Sequence, residues 1–429
     1  MSYGQGRFLT THIGSLPRPE DLMELMWAKE DGLPLVASAI DARVRDAVDD
    51  VVKQQVEAGV DIVNDGEMSK PSYATYIKDR LNGFGGTGNS FAFQDIEDFP
   101  GTKAKVFADP GRKHRKTPAC NGPITVKDME AVRADAANLK AALKAHPGAK
   151  PFMSAASPGV TAFFFRNDYY PSREAYVFAL AEGLRHEYEA IAEAGITLQI
   201  DCPDLAMGRH TQFAGLDLKG FREEMELNIE ALNRAVVNIE PEQLRMHVCW
   251  GNYPGPHHFD VPFQDIIDLI WTAKPRTILF EAANPRHAHE YHLFETVKLP
   301  EGKVLAPGVI ECQSNYIEHP EVVAERIGRY ANLVGRDNVV GAVDCGFSIH
   351  VGSGGGRPQG GLRQAGLAGR RRGHRLEEVL ELGREAQRPP AQGVAAGWRR
   401  HVVQRQGRPD LRLRGARRDH AAAGGGADA

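Results

Sequence analysis

No stretch of about 18 uninterrupted apolar residues occurs in this 429-residue chain, so no segment is expected to cross a membrane as a helix. Cysteine is sparse. Cys120, Cys202, Cys249, Cys312 and Cys345 form no CxxC pair and no dense framework, which argues against a disulfide-stapled secreted scaffold and for reduced thiols. Met1 to Arg7 lacks the apolar core of a signal peptide, and the expectation is a cytoplasmic protein. The HExxH zinc pattern is missing as well: His289-Glu290-Tyr291-His292 has the wrong spacing. With His287 it reads as a solvated helix face. Basic charge is scarce where a nucleic-acid binder would need it. Past His350 stand sixteen Arg, no Lys and seven acidic residues. That surplus of nine means the first 350 residues carry about −13 of the overall −4, which disfavours a nucleic-acid partner.

What is present is the composition of a globular enzyme, 42% apolar and 25% charged, with apolar runs that alternate with helical spacing. Short runs at Arg7–Ile13, Asp61–Asp65, Pro151–Ala156, Thr197–Ile200, Arg245–Trp250, Ile278–Glu281, Lys303–Ile310 and Val339–Cys345 read as strands. Helices are expected at about Ala39–Ala58, Ser72–Leu81, Ala131–His146, Arg173–Ala194, Phe221–Ile239, Phe263–Ala273, Pro285–Thr296 and Pro320–Val334. Eight strands with intervening helices predict an α/β fold, a (β/α)8 TIM barrel over residues 1–350. A β-hairpin arm is expected as an insertion at about 84–126, extended and turn-rich from Asn89 to Val126. Gly83-Phe84-Gly85-Gly86-Thr87-Gly88 matches GxGxxG but follows a helix, so it reads as a flexible loop.

Residues 351–429 break the pattern. They contain no Ile, Phe, Tyr, Met or Lys, and Trp398 is their only aromatic. Arg, Gly and Ala dominate, as in GC-rich DNA read out of frame. The expectation is an irregular low-complexity tail, disordered or out of frame, in the place where a barrel needs its closing helix.

Chemistry-bearing residues collect at strand ends. His247 and Cys249 lie two apart on one strand, so they share a face. Imidazole and thiolate are two of zinc's preferred ligands. Two other strands end on Glu281 and Cys345. In a parallel barrel the C-terminal ends of all strands converge on one mouth. Glu67, Asp201, Asp204, Glu281 and Gln313 are expected on that rim. Gly14-Ser15, after the first strand, places backbone N–H groups where a carboxylate could sit.

Together Thr11-His12-Ile13-Gly14-Ser15, Asp65-Gly66-Glu67, Ile200-Asp201, His247-Val248-Cys249, Glu281 and Asp344-Cys345-Gly346 resemble the C-terminal barrel of cobalamin-independent methionine synthase. They are nearer still to its single-barrel relatives, and the resemblance runs from Arg7 to Phe347. It implies zinc held by His247, Cys249, Glu281 and Cys345, and homocysteine held at its amino-acid end by Ile13, Gly14, Ser15, Glu67 and Asp201. It implies a methyl-folate as methyl donor. Two positions depart from the family. Gln313 stands where the family has a histidine thought to give a proton to the leaving group, and Phe165 is nearest to the tryptophan that lies against the folate ring. The single-barrel relatives include epoxyalkane–coenzyme M transferase. The same chemistry on another thiol or electrophile, a decarboxylase sharing only the fold, and a non-catalytic zinc or amino-acid binder therefore stand beside the leading expectation.

Overall fold

The computed structural model describes residues 7–88, 93–108, 116–314 and 318–348. Eight parallel strands form one sheet: β1 (Leu9–Thr10), β2 (Ile62–Val63), β5 (Lys150–Ala156), β6 (Thr197–Asp201), β7 (Leu244–Val248), β8 (Thr277–Phe280), β9 (Val304–Ile310) and β10 (Val340–Val343). Their spatial order is β1-β10-β9-β8-β7-β6-β5-β2. A parallel bridge between Thr11 and Ile62 joins the two ends, so the sheet closes into a (β/α)8 barrel. Every residue of β7 and of β9 is buried, as expected when helices cover one face of a parallel sheet and the barrel lumen the other.

Each long helix buries one stripe. Helix α1 (Glu20–Glu30) leads into α2 (Ala37–Glu57), which buries Val44, Val48, Val51, Val52 and Gln55 at three- and four-residue spacing. The buried Gln55 is not an error of that pattern, because its amide bridges the barrel wall: Oε1 lies 2.7 Å from His12 Nε2 and accepts from Asn64 N, while Nε2 donates to Asn64 O. The barrel lumen is polar for the same reason. Arg245 lies over the Phe152 ring at 4.0 Å and donates to Thr11 Oγ1 and His12 O. Gln199 donates to Ile13 O and to Asp201 Oδ1. These bonds fix β1 against β6 and β7, and so fix the chain that runs on to Ser15.

The hairpin pairs β3 (Leu81–Gly85) antiparallel with β4 (Ala119–Val126). This corrects the reading of Gly83 to Gly88 as a loop throughout. Gly83 has φ +101, and a Cβ there would meet Gly122 O and Pro123 O at 2.8 Å, so glycine is required by the close approach of the paired strand. The connecting segment is not extended throughout either: it contains a short helix at Gln94–Glu97 and α3 (Pro100–Phe107). Beyond it come α4 (Glu130–Leu143), α5 (Pro158–Phe164), α6 (Arg173–Glu193), α7 (Leu218–Ala235) and α8 (Pro320–Val334). Phe93, Ile96 and Val106 of the inserted segment pack with Met207 and Tyr253 in a small second core.

Three expected helices shrink. Ser72–Leu81 is helical only at Ile77–Arg80, because Ser72 Oγ accepts from Ala74 N and Thr75 N and holds the chain in a turn. Phe263–Ala273 keeps a 3-10 turn at Phe263–Asp265 and one helical turn at Ile267–Ile270. Pro285–Thr296 is reduced to 3-10 geometry at Glu290–Glu295. There the Asn284 side chain accepts from Arg286 N and His287 N, which competes with helical bonding. The expected tail of 351–429 and the closing helix sought in it lie outside the described residues.

Candidate metal and thiol site

The strand ends deliver their side chains to one cavity. Asp201 ends β6, His247 lies in β7, Cys249 follows it, Glu281 follows β8 and Cys345 follows β10. The cavity, about 410 Å³ with the solvent at its open mouth included, is lined by Ile13, Ser15, Glu67, Asp201, His247, Cys249 and Cys345 among others. One His nitrogen and the two Sγ atoms of His247, Cys249 and Cys345 lie within 4.8 Å of one another, and the two sulfurs are 3.6 Å apart. All three residues are buried.

His247 Nδ1 sits 3.5 Å from Asp201 Oδ1, while Nε2 is buried with no hydrogen-bond partner among the described residues. An orphaned buried ring nitrogen costs about 1–3 kcal/mol unless something fills its place. Beside Cys345, and buried, the Cys249 thiol is pushed well above its ordinary range. A cation between the sulfurs would reverse that preference and deprotonate them. One nitrogen and two sulfurs form the donor set of zinc rather than of magnesium or calcium. The residues present therefore fit a zinc ion.

Glu281 is buried at the edge of this trio rather than within it. Its Oε1 accepts from Trp250 N and its Oε2 from Asn284 Nδ2, both at 2.8 Å. The segment behind it is clamped by Asp344, which accepts backbone N–H bonds from Ala282, Ala283 and Asn284, each at 2.8 Å. Thus the residue preceding Cys345 positions the turn that carries Glu281.

The cavity is also lined by Glu67, a non-glycine residue at φ +60, a conformation that persists only where its surroundings enforce it. Ser154 Oγ donates to Glu67 Oε1 at 2.7 Å, and Arg18 Nη2 lies 3.8 Å from Oε2. Oε2 has no hydrogen-bond partner among the described residues. Burial pushes this carboxyl up to about 7, against the pull of Lys70 and Arg18. Gly14 runs alongside at φ +139, and a Cβ there would reach Glu67 Oε1 at 3.0 Å. Ile13, Ser15, Glu67 and Asp201 thus line the same cavity, with Gly14 against Glu67.

The remaining expected residues fall elsewhere. Asp204 is buried away from the cavity lining, accepting from Ser157 Oγ and Asn228 Nδ2. It ties the start of α5 to α7. Phe165 is fully buried against Phe84, ring centroids 4.5 Å apart, and is not among the lining residues. Gln313 is outside the lining too, its Nε2 3.5 Å from Gly251 O. His287, read from sequence as part of a solvated face, is buried between Asp260 and Glu290. Tyr73, Pro203, Met207 and Asn252 line the cavity and were not singled out from sequence. Pro203 and Asn252 stand two and four residues past the ends of β6 and β7, and that nearness to strand ends is their signal in the sequence. Tyr73 and Met207 carried none.

Residues 8–352 match the family model described as the catalytic domain of cobalamin-independent synthase. The chain is 26% identical over 345 residues to a methionine synthase of Saccharolobus islandicus, covering 79% of this chain and 88% of that one. It is 26% identical over 341 residues to a methionine synthase of Thermococcus kodakarensis, covering 79% and 87%. In three dimensions it is similar to a B12-independent methionine synthase from Shewanella solved with selenomethionine, with a TM-score of 0.63 and 20% identity over 88% of this chain and 98% of that one. The barrel, the order of its strand-end motifs and the match over residues 8–352 together make this chain a member of the cobalamin-independent methionine synthase family.

Proposed function

We propose that the chain is a zinc-dependent S-methyltransferase that converts homocysteine to methionine. The observation that carries this reading is a His247 ring nitrogen within 4.8 Å of the Cys249 and Cys345 sulfurs, themselves 3.6 Å apart, in a cavity also lined by Glu67 and Asp201. His247, Cys249 and Cys345 would hold the metal, with Glu281 as the nearby fourth donor. A free thiol with pKa ~8.5 is mostly protonated at neutral pH, and zinc, when bound, supplies the positive charge that keeps a substrate sulfur deprotonated.

The chain's own residues do the rest. Glu67 and Asp201 receive the α-ammonium group, and the Ile13–Ser15 turn faces the α-carboxylate. Arg18 and Ser154 hold Glu67 in place, so the amino acid is oriented before reaction. In the family's reaction the methyl donor is a methyl-folate. A second reading, with the same acceptor and another electrophile, is favoured by Gln313, an amide that cannot act as an acid.

The test is methionine formation by the zinc-loaded protein, with homocysteine binding followed separately by proton release near pH 7. The reading expects about one proton per site from a thiol of pKa ~8.5, lost in Cys249→Ser. Binding without proton release would overturn it.

A further inference from the structure

This inference rests on homocysteine binding at the site above and concerns how the two halves of that site communicate. We propose that Arg18 is a positioning residue that couples metal occupancy to amino-acid binding. Zinc at the thiols tightens the grip on the amino-acid end, and the amino acid tightens the grip on zinc.

Burying a guanidinium is unfavourable unless its charge is paired and its donors are used. Arg18 is only 5% exposed. Arg80, another buried arginine, meets the need by donating to Asp135 Oδ2 at 2.6 Å. Arg18 does not. Its ion pair to Glu67 Oε2 is 3.8 Å long, with no hydrogen bond across it. Its planar fork goes to backbone carbonyls instead. Nη1 donates to Ser348 O at 3.0 Å, and Nη2 donates to Glu67 O and Lys70 O at 2.9 Å each. One rigid group thus grips two loops that are far apart in sequence.

The two loops serve different halves of the site. Residues 67–70 carry the carboxylate assigned to the substrate ammonium, on a backbone at φ +60 that needs support from outside. Residues 346–348 directly follow Cys345, and each is tied to another part of the cavity wall. Gly346 O accepts from Asn252 Nδ2 at 2.6 Å, in the loop after Cys249. Phe347 N donates to Ser15 O at 3.0 Å. Ser348 O takes Arg18. A metal that fixes Cys345 therefore fixes this segment, and through Ser15 and Arg18 it fixes the groups that receive the amino acid. Ordering already brought about by one ligand need not be repeated for the other. The coupling is reciprocal, so each ligand raises the affinity of the other by the same factor.

The experiment takes the full-length protein, stripped with a chelator or loaded with zinc, and titrates it with L-norleucine by calorimetry. Norleucine keeps both polar ends of the amino acid and has no sulfur to meet the metal, so no metal–sulfur bond contributes. It is expected to bind the zinc-loaded form about 5-fold or more tightly than the stripped form, within the usual range of such couplings. Zinc affinity, read by chelator competition, should rise by the same factor when norleucine is saturating. Arg18→Lys keeps the buried charge and loses the fork. It should bring the ratio of norleucine affinities close to one in a folded protein, a change that lost stability alone would not produce. Hydrogen exchange on the wild type gives a second readout that needs no variant: zinc should slow the amides of residues 67–70, and norleucine should slow that of Phe347. A wild-type ratio close to one, an unchanged ratio in folded Arg18→Lys, or no norleucine binding would overturn the proposal, as would exchange that responds at neither loop. Failure of the underlying reading shows itself separately, since homocysteine would then bind without releasing its proton.

Discussion

Two buried imidazole clusters lie on this barrel, and they differ in what stands beside the rings. Around Asp260 every nitrogen of His257 and His287 is used. His287 donates to Asp260 Oδ2 at 3.0 Å and to Glu290 Oε2 at 2.8 Å. His257 donates to Asp260 Oδ2 at 3.0 Å and to Tyr253 O at 3.1 Å. At the barrel mouth His247 has only Asp201, at 3.5 Å, and its other nitrogen has no partner among the described residues. His210, 3.4 Å from Asp260 Oδ1, leaves both of its ring nitrogens without a hydrogen-bond partner among the described residues, so what sets the mouth apart is the pair of thiols beside the imidazole, a donor set suited to a metal. The two are coupled through the backbone, because the loop that Asp260 and His257 pin begins at Trp250, directly after Cys249. Trp250 packs on His287 with ring centroids 4.3 Å apart and gives its N–H to Glu281.

The largest effect that would break this contrast is at the mouth. Cys249→Ser and Cys345→Ser are each expected to bring metal content and methionine formation to background together, while circular dichroism and urea unfolding stay close to wild type. Asp260→Asn should do the reverse. It leaves buried His287 and half-buried His257 short of their charge partner, a loss worth about 3–5 kcal/mol, read as a lower urea midpoint with zinc still bound in the folded fraction.

The same cluster sets a pH dependence. Burial would lower both imidazoles, but hydrogen bonds to Asp260 hold His257 up at about 9 and, with Glu290, His287 up at about 10. A raised histidine stabilises fully below its unfolded pKa of ~6.5, so this contribution should fade as pH climbs from there through 9 to 10. Burial would raise Asp260, yet its imidazole partners hold it at about 2. Its contribution is present above ~3.9 and lost as pH falls through 2. Urea midpoints across pH should show the alkaline decline, and Asp260→Asn should flatten it.

The smallest effect is at Glu67. Removing a charge-assisted bond to the substrate ammonium with Glu67→Gln should raise the homocysteine KM by about 10- to 100-fold, equivalent to 1.5–3 kcal/mol, with kcat less affected. Burial holds Glu67 up at about 7, so wild-type KM should fall as pH rises through that value and the carboxylate forms. A KM indifferent to both the substitution and pH would remove Glu67 from the binding wall.

The contrast also marks what was legible in the sequence. The β7 strand and its His247-Val248-Cys249 spacing could be read because strand alternation is local, and the eight-strand order followed from period and length. The His287 cluster could not, because its meaning depends on Asp260, which reaches it across a loop with no regular period. The hairpin strand at Leu81–Gly85 was hidden by its glycines, which mark close approach to Gly122 and Pro123 rather than looseness. The helix expected at Pro285–Thr296 is cut to 3-10 geometry because Asn284 accepts from two backbone N–H groups, and side-chain competition of that kind is invisible to apolar spacing. Tyr73 and Met207 reach the cavity only through tertiary packing.

The central claim is that the orphaned His247 nitrogen and the paired thiols exist to hold a metal. Metal analysis of the purified full-length protein tests it most directly. The account predicts close to one zinc per chain, lost in Cys249→Ser and in Cys345→Ser and retained in a folded Asp260→Asn variant. A wild-type protein that is folded, reduced and exposed to zinc, yet carries less than about a tenth of an equivalent, would contradict it.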